Sequence, residues 1–187
     1  MSNSSAKISP TAHYTGYVWF INGLSDERLK TKQGAFLYKL LQPLMKYSAK
    51  RGGPVLKDFL LARHQLIDLR LQEAIESGTI RQIIEIAAGL SPRGLRFAKK
   101  YGNKITYIEA DLEGMASRKR NLIGSSIDNK HHQIMVIDAL ANEGENSLAE
   151  LSKKLNKEQG VFSVWLLPRA TEKPTLMPPF QPCVSPG

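Results

Sequence analysis

The stretch "IIEIAAGLSPRGLRFAKKYG", residues 83–102, decides the fold. An apolar run that reads as a strand ends in Glu85, a turn containing Gly89 follows, and an amphipathic helix begins near Pro92. Strand, glycine turn and helix in this order form the first half of a parallel β-α-β unit. An open parallel sheet binds ligands at such a turn.

The pattern repeats downstream. "RQIIEIA" (81–87), "KITYIEAD" (104–111), "HHQIMVIDAL" (131–140) and "GVFSVWLL" (160–167) read as four strands. Helical segments separate them at 92–102, 112–123 and 146–159. The alternation predicts an α/β protein with a Rossmann-like parallel sheet of about four strands and flanking helices. No sequence repeat accompanies it.

Upstream the chain is helical. Residues 33–47 predict a helix, with Pro43 marking a kink or break. Pro54, after the turn "RGGP", suits the start of the next helix. That helix, residues 55–76, is the strongest in the sequence. A 3.6-residue wheel puts Leu56, Leu60, Ile67, Leu71 and Ala74 on one side and Lys57, His64, Gln65, Asp68 and Gln72 on the other. Arg63 falls within the apolar side, where a charge needs a partner. Residues 1–32 read as a polar arm or lid, not a core element, with the aromatic group His13, Tyr14, Tyr17, Trp19 and Phe20. The last twenty residues hold six of the ten prolines and predict an irregular tail. The expected organisation is an arm and helix over 1–54, a partial cofactor-binding domain over 55–167 and the tail over 168–187.

Composition narrows the class. The chain has 187 residues, is 42% hydrophobic and 23% charged, and carries a formal charge of +9. The basic excess is spread along the chain, and its densest run, "SRKRN" at 117–121, lacks interleaved aromatics. A solvated helix face explains that run better than a nucleic-acid surface, so nucleic acid is not the expected partner. No apolar run approaches the ~20 residues of a membrane span, so a membrane is not expected as a partner either. Cys183 is the single cysteine, which excludes a disulfide framework and a cysteine-based metal cluster. A reducing, cytoplasmic setting is expected. His131 and His132 read as loop residues without a partner at ligand spacing.

Three strands end in or beside an acid: Glu85, Asp111 (with Glu109 two before it) and Asp138. A carboxylate suits paired ribose hydroxyls, and Asp111 stands 22 residues after Gly89, near the spacing used by dinucleotide folds. Asp138 is placed to meet an adenine amino group. Glu85 lies beneath the loop, to meet an ammonium or to orient the turn. A dinucleotide pyrophosphate needs three glycines around the helix N-terminus, and "AAGLSPRG" lacks the first. S-adenosylmethionine carries no phosphate. It needs one close backbone approach, at Gly89, and acids for its ribose and amino groups. The loop therefore fits the methyl donor better than a nicotinamide cofactor.

"EIAAGLSPRGLRF", "YIEADLEGMASRKRNLI" and "VIDAL" resemble the leucine carboxyl methyltransferase family of class I S-adenosylmethionine-dependent methyltransferases. "ISPTAHYTGYVWFINGLSD" resembles the branch named after the tetracenomycin polyketide-synthesis O-methyltransferase. The resemblance covers residues 8–160. It implies that the first motif falls on Glu85 to Gly89, the ribose acid on Asp111 with Lys119 downstream, and the adenine-proximal acid on Asp138 beside Ala139 and Leu140. It also implies that Arg63 pairs with the methionine carboxylate. Ala87 replaces the family's first glycine, and its Cβ narrows the turn. After the fourth strand the family continues with a stretch like "I-T-E-G-L", whereas this chain reads "VWLLPRATEKP". Codons for Trp-Leu-Leu-Pro-Arg-Ala permit a second frame that reads Val-Ile-Thr-Glu-Gly, which suggests a frameshift near residues 161–165.

The expected activity is O-methylation of a carboxyl or hydroxyl group on a polyketide-like acid, with His13, Tyr14, Tyr17 and Trp19 covering the substrate. Methyl transfer from a sulfonium needs positioning more than an acid–base cluster, so no metal and no catalytic triad are expected. The alternatives are a truncated, catalytically inactive domain and an RNA methyltransferase or RNA-binding module. An exposed fourth strand makes a homo-oligomer the further partner expectation.

Overall fold

The computed structural model describes residues 10–53, 55–124, 130–156 and 158–165. Three helices lead: α1 (Pro10–Ile21), α2 (Lys32–Lys50) and α3 (Leu56–Glu76). Then follow β1 (Gln82–Ile86), α4 (Arg93–Tyr101), β2 (Thr106–Asp111), α5 (Glu113–Ile123), β3 (His132–Val136), α6 (Leu148–Lys153) and β4 (Val161–Trp165). All strand pairs are parallel, in the order β3-β2-β1-β4. This is the α/β fold that the alternation predicts. After β3 the chain crosses back to the far side of β1, so strand order reverses between β1 and β4. The turn leaving β1 lies at that switch point, where open sheets bind ligands.

All five residues of β1 are buried, as expected for a central parallel strand. Ile83 and Tyr107 pack with Phe97 of α4 and Leu71 and Ile75 of α3 on one face of the sheet. Ile84, Ile86, Ile108 and Ala110 pack with Leu151 of α6 on the other. Parallel register sets Glu85 opposite Glu109, so both carboxylates point to the α3–α4 face.

Four expectations need correction. Residues 10–21 are not an arm: they form a helix with His13, Tyr14, Val18 and Trp19 buried, packed on α2 and over Leu90. The wheel of α3 holds for Ile67, Leu71 and Ala74, which pack in the core, but not at Leu56, which is exposed, or at His64 on its supposed solvent side, which is buried. A wheel ranks hydrophobicity; here pairing with Arg93 and Arg96 brings His64 and Asp68 inward. Of the kink or break expected at Pro43, the break is removed, because the residue lies inside α2. His132 is a buried residue of β3, not a loop residue. Two elements are shorter than expected. β3 stops at Val136, although Ile137 still donates to Asp111 O at 2.9 Å. α6 spans only Leu148–Lys153, begun by Ser147, whose Oγ accepts from Glu150 N. Pro54 and the proline-rich tail lie outside the described residues, whereas residues 161–165, where the frameshift is suggested, form β4.

Candidate functional site

The site is built on the turn leaving β1. Ala87 and Gly89 both take the left-handed conformation, at φ +56° and +55°. Glycine occupies that region freely, whereas an alanine there costs about 1–2 kcal/mol. The Ala87 substitution therefore acts through backbone strain as well as bulk. Ser91 N donates to Ala88 O at 2.9 Å and closes the turn.

Asp111 ends β2 beside this turn. Its Oδ2 accepts from Gly89 N at 2.6 Å and its Oδ1 from Leu112 N at 2.8 Å. Burial raises the pKa of its carboxyl, and the two amides oppose that rise. A carboxylate has about four acceptor positions, so these two bonds leave capacity for hydroxyl donors. Gly89, Asp111 and the β1–β4 switch point thus coincide. S-adenosylmethionine fits this set in part. Asp111 suits its ribose and the turn allows close backbone approach, but Ala12 of α1 stands 3.6 Å from where a Cβ on Gly89 would lie.

Glu85 is placed differently. It is fully buried and accepts from Arg93 Nη1 at 2.5 Å and from Tyr107 Oη at 2.8 Å. Both partners are buried protein groups, so Glu85 is committed to the interior and does not face a ligand ammonium. Arg93, also fully buried, reaches α3 as well, donating to Asp68 Oδ1 at 2.6 Å and to His64 Nδ1 at 2.8 Å. Arg96 Nη1 approaches the other ring nitrogen, Nε2, at 3.3 Å, so two guanidiniums face the imidazole and hold it neutral. Burial and then the Arg93 charge lower the His64 pKa to about 3.

The second buried acid, Glu109, forms a parallel arrangement. It pairs with Lys119 of α5 and with His132 Nε2 at 2.9 Å. Lys119 Nζ also donates to Ser91 O at 2.6 Å. The Glu109 pKa is lowered: burial opposes ionisation, but Lys119 and His132 outweigh it. Glu109 also sits against Gly94 of α4, where any Cβ would overlap its carboxylate. Arg93 and Lys119 therefore pin the two ends of segment 91–93, one through its own guanidinium and one through the Ser91 carbonyl.

The sequence reading missed Arg93, Asp68, His64, Tyr107 and Lys119 as anchors of the loop. A signal existed. Strand alternation puts Glu85 and Glu109 on one covered face, and two buried carboxylates demand cations from the covering helices.

The other expected ligands scatter. Asp138 lies beyond β3, exposed, with Oδ1 accepting from Leu140 N at 2.9 Å. Ala139 packs against the core, and Leu140 is 90% exposed. Arg63 is half-buried on α3; the buried guanidinium at the loop is that of Arg93. His13 is buried with Nδ1 2.9 Å from Thr31 Oγ1, and burial followed by the Arg118 charge lowers its pKa. Tyr14 and Tyr17 pack on Tyr38 of α2, at 6.1 and 5.4 Å between ring centroids. Trp19 packs on His64 at 4.9 Å. Of the four residues expected over the substrate, three are buried between helices, which corrects the lid reading. Tyr14 lines a cavity of about 280 Å³, but with residues of α2 and the start of α3, not with the β1 turn. Among the described residues no cluster of His, Cys, Asp or Glu is arranged to hold a metal.

No curated protein and no solved structure matches the chain. Residues 18–165, from within α1 through the last residue of β4, match the family model described as leucine carboxyl methyltransferase. The span takes in the β1 turn, Asp111 and both buried clusters. The chain belongs to the leucine carboxyl methyltransferase family, a family of S-adenosylmethionine-dependent methyltransferases.

Proposed function

We propose that the chain carries the S-adenosylmethionine site of an O-methyltransferase acting on a carboxyl or hydroxyl group of a small, polyketide-like acid. One observation carries the reading: Asp111 is tied to Gly89 N at 2.6 Å, at the carboxyl end of the sheet where strand order reverses. Asp111 takes the ribose hydroxyls and the turn at 87–89 the close backbone approach, with Asp138 one strand further along. The cofactor supplies an activated methyl group, and the protein's part is to hold donor and acceptor in line and keep water out. A carboxylate acceptor needs no general base. The tetracenomycin-like branch rests on the N-terminal motif, and a cytoplasmic setting on the single cysteine.

A second reading is a catalytically inactive methyltransferase-like domain that binds the cofactor without turning over a substrate. It is favoured by the left-handed Ala87 in the cofactor turn and by β4 standing at the edge of the described sheet. An oligomer through that edge belongs to the same reading.

Titration with S-adenosylhomocysteine and, separately, with NAD tests the site, read as a rise in melting temperature. The expected result is a rise with S-adenosylhomocysteine alone. No rise at high concentration overturns a working cofactor site. Turnover on a panel of carboxylic acids then separates the enzyme from an inactive domain. Sequencing the locus tests the frameshift, and a locus with no methyltransferase-like continuation in another frame sinks it.

A further inference from the structure

Helix α2 presents a surface that the cofactor site does not use. Phe36, Leu40, Leu44 and Tyr47 lie one turn apart along one side of α2, at 65, 61, 59 and 54% exposure. Large apolar side chains this exposed, in a continuous row, mark an interaction surface and not ordinary scatter. Beside that row run Lys32, Lys39, Lys46 and Lys50, all exposed, the first three seven residues apart. Helical geometry puts them within about a quarter-turn of the apolar row. None of the nineteen residues of α2 is acidic. The buried side of the helix is held elsewhere, by Gly34 against His13 O and by Tyr38 against Tyr14 and Tyr17.

We propose that the exposed face of α2 docks on an anionic lipid surface. An apolar row flanked by lysines suits a helix lying in the plane of the interface, with apolar side chains among the acyl chains and ammonium groups at the headgroups. The lack of a spanning segment does not bear on this, because an interfacial helix does not cross the bilayer. The expectation that a membrane is no partner, drawn from spanning length alone, is revised at this face. Charge chooses the occupant. A second copy seated through the same face would bring a second set of α2 lysines against the first, with no acid on α2 to pair them. Nucleic acid would satisfy the lysines and leave Phe36, Leu40 and Leu44 in water.

The test is co-sedimentation of the full chain with vesicles of phosphatidylcholine alone and of phosphatidylcholine mixed with phosphatidylserine. Binding is expected only to the mixed vesicles, and it weakens with added salt. Each of Lys39→Gln and Lys46→Gln lowers the partition coefficient about fivefold. Leu40→Glu combined with Leu44→Glu abolishes binding. All these positions are exposed, so the variants keep the parent's circular dichroism and melting temperature. Absence of binding to the mixed vesicles overturns the proposal, as does binding indifferent to the lysine substitutions. Concentration-dependent dimerisation that Leu40→Glu dissolves gives the face to a second copy and equally overturns it.

Discussion

Gly89 and Asp111 are joined by a 2.6 Å hydrogen bond from backbone amide to carboxylate, so the turn after β1 and the end of β2 form one unit. The same carboxylate also caps Leu112 N ahead of α5. Asp111→Ala is expected to cost about 1–3 kcal/mol of stability, from two charge-assisted bonds on a half-buried group. It is also expected to abolish the S-adenosylhomocysteine-induced rise in melting temperature. Asp111→Asn keeps one acceptor and restores part of the stability. Retention of full ligand response in the alanine variant would remove Asp111 from the site.

Ala87 is the one described non-glycine residue with positive φ. Ala87→Gly is expected to stabilise the protein by about 1 kcal/mol, the left-handed strain outweighing the extra freedom of glycine in the unfolded chain. A shift of the urea midpoint to higher concentration checks this. A lower midpoint means that the Ala87 methyl makes packing contacts worth more than the strain.

Arg93 and Glu85 are both fully buried. Arg93→Met strands the Glu85 carboxylate and is expected to cost about 3–5 kcal/mol. Adding Glu85→Gln to Arg93→Met returns most of that loss, because the uncompensated charge is then gone. A double variant no more stable than the single one shows that Asp68 and His64 carry most of the interaction.

Gly94 opens α4 against Glu109. On an exposed helix Gly→Ala gains up to about 1 kcal/mol. Here the new Cβ displaces a carboxylate paired with Lys119 and His132, so Gly94→Ala is expected to destabilise by about 1–3 kcal/mol. Chemical denaturation reads the sign directly.

His64 sets a pH dependence. Its folded pKa is depressed to about 3 from an ordinary 6.5, by burial and by Arg93 beside it. The unfolded chain therefore binds a proton that the folded chain refuses. The stability from neutral His64 is present above pH 6.5 and is lost as pH falls toward 3. Between pH 6.5 and 5, above the ordinary carboxylate range, the loss is about 1.5 kcal/mol. Depressed His13 adds in the same direction. His64→Gln flattens the slope measured by urea unfolding across that interval, and an unchanged slope refutes the assignment.

Local sequence determined the alternation of strands and helices, because each element's apolar periodicity and the glycine turns between them are set by neighbours in the chain. It also determined that Gly89 and Asp111 meet, since both stand at the carboxyl ends of adjacent parallel strands and leave little freedom in register. Only the tertiary structure decided what Glu85 does. Sequence put an acid at the end of β1, but its direction depends on which face α4 covers and on Arg93 being there to neutralise it. The same physics turned His64 and Asp68 inward against the hydrophobic wheel: a buried guanidinium must be paired, and the wheel of one helix carries no record of a charge on another. It also made α1 part of the core, since burial of Val18 and Trp19 depends on Leu90 and α2, which the local pattern of residues 10–21 does not contain.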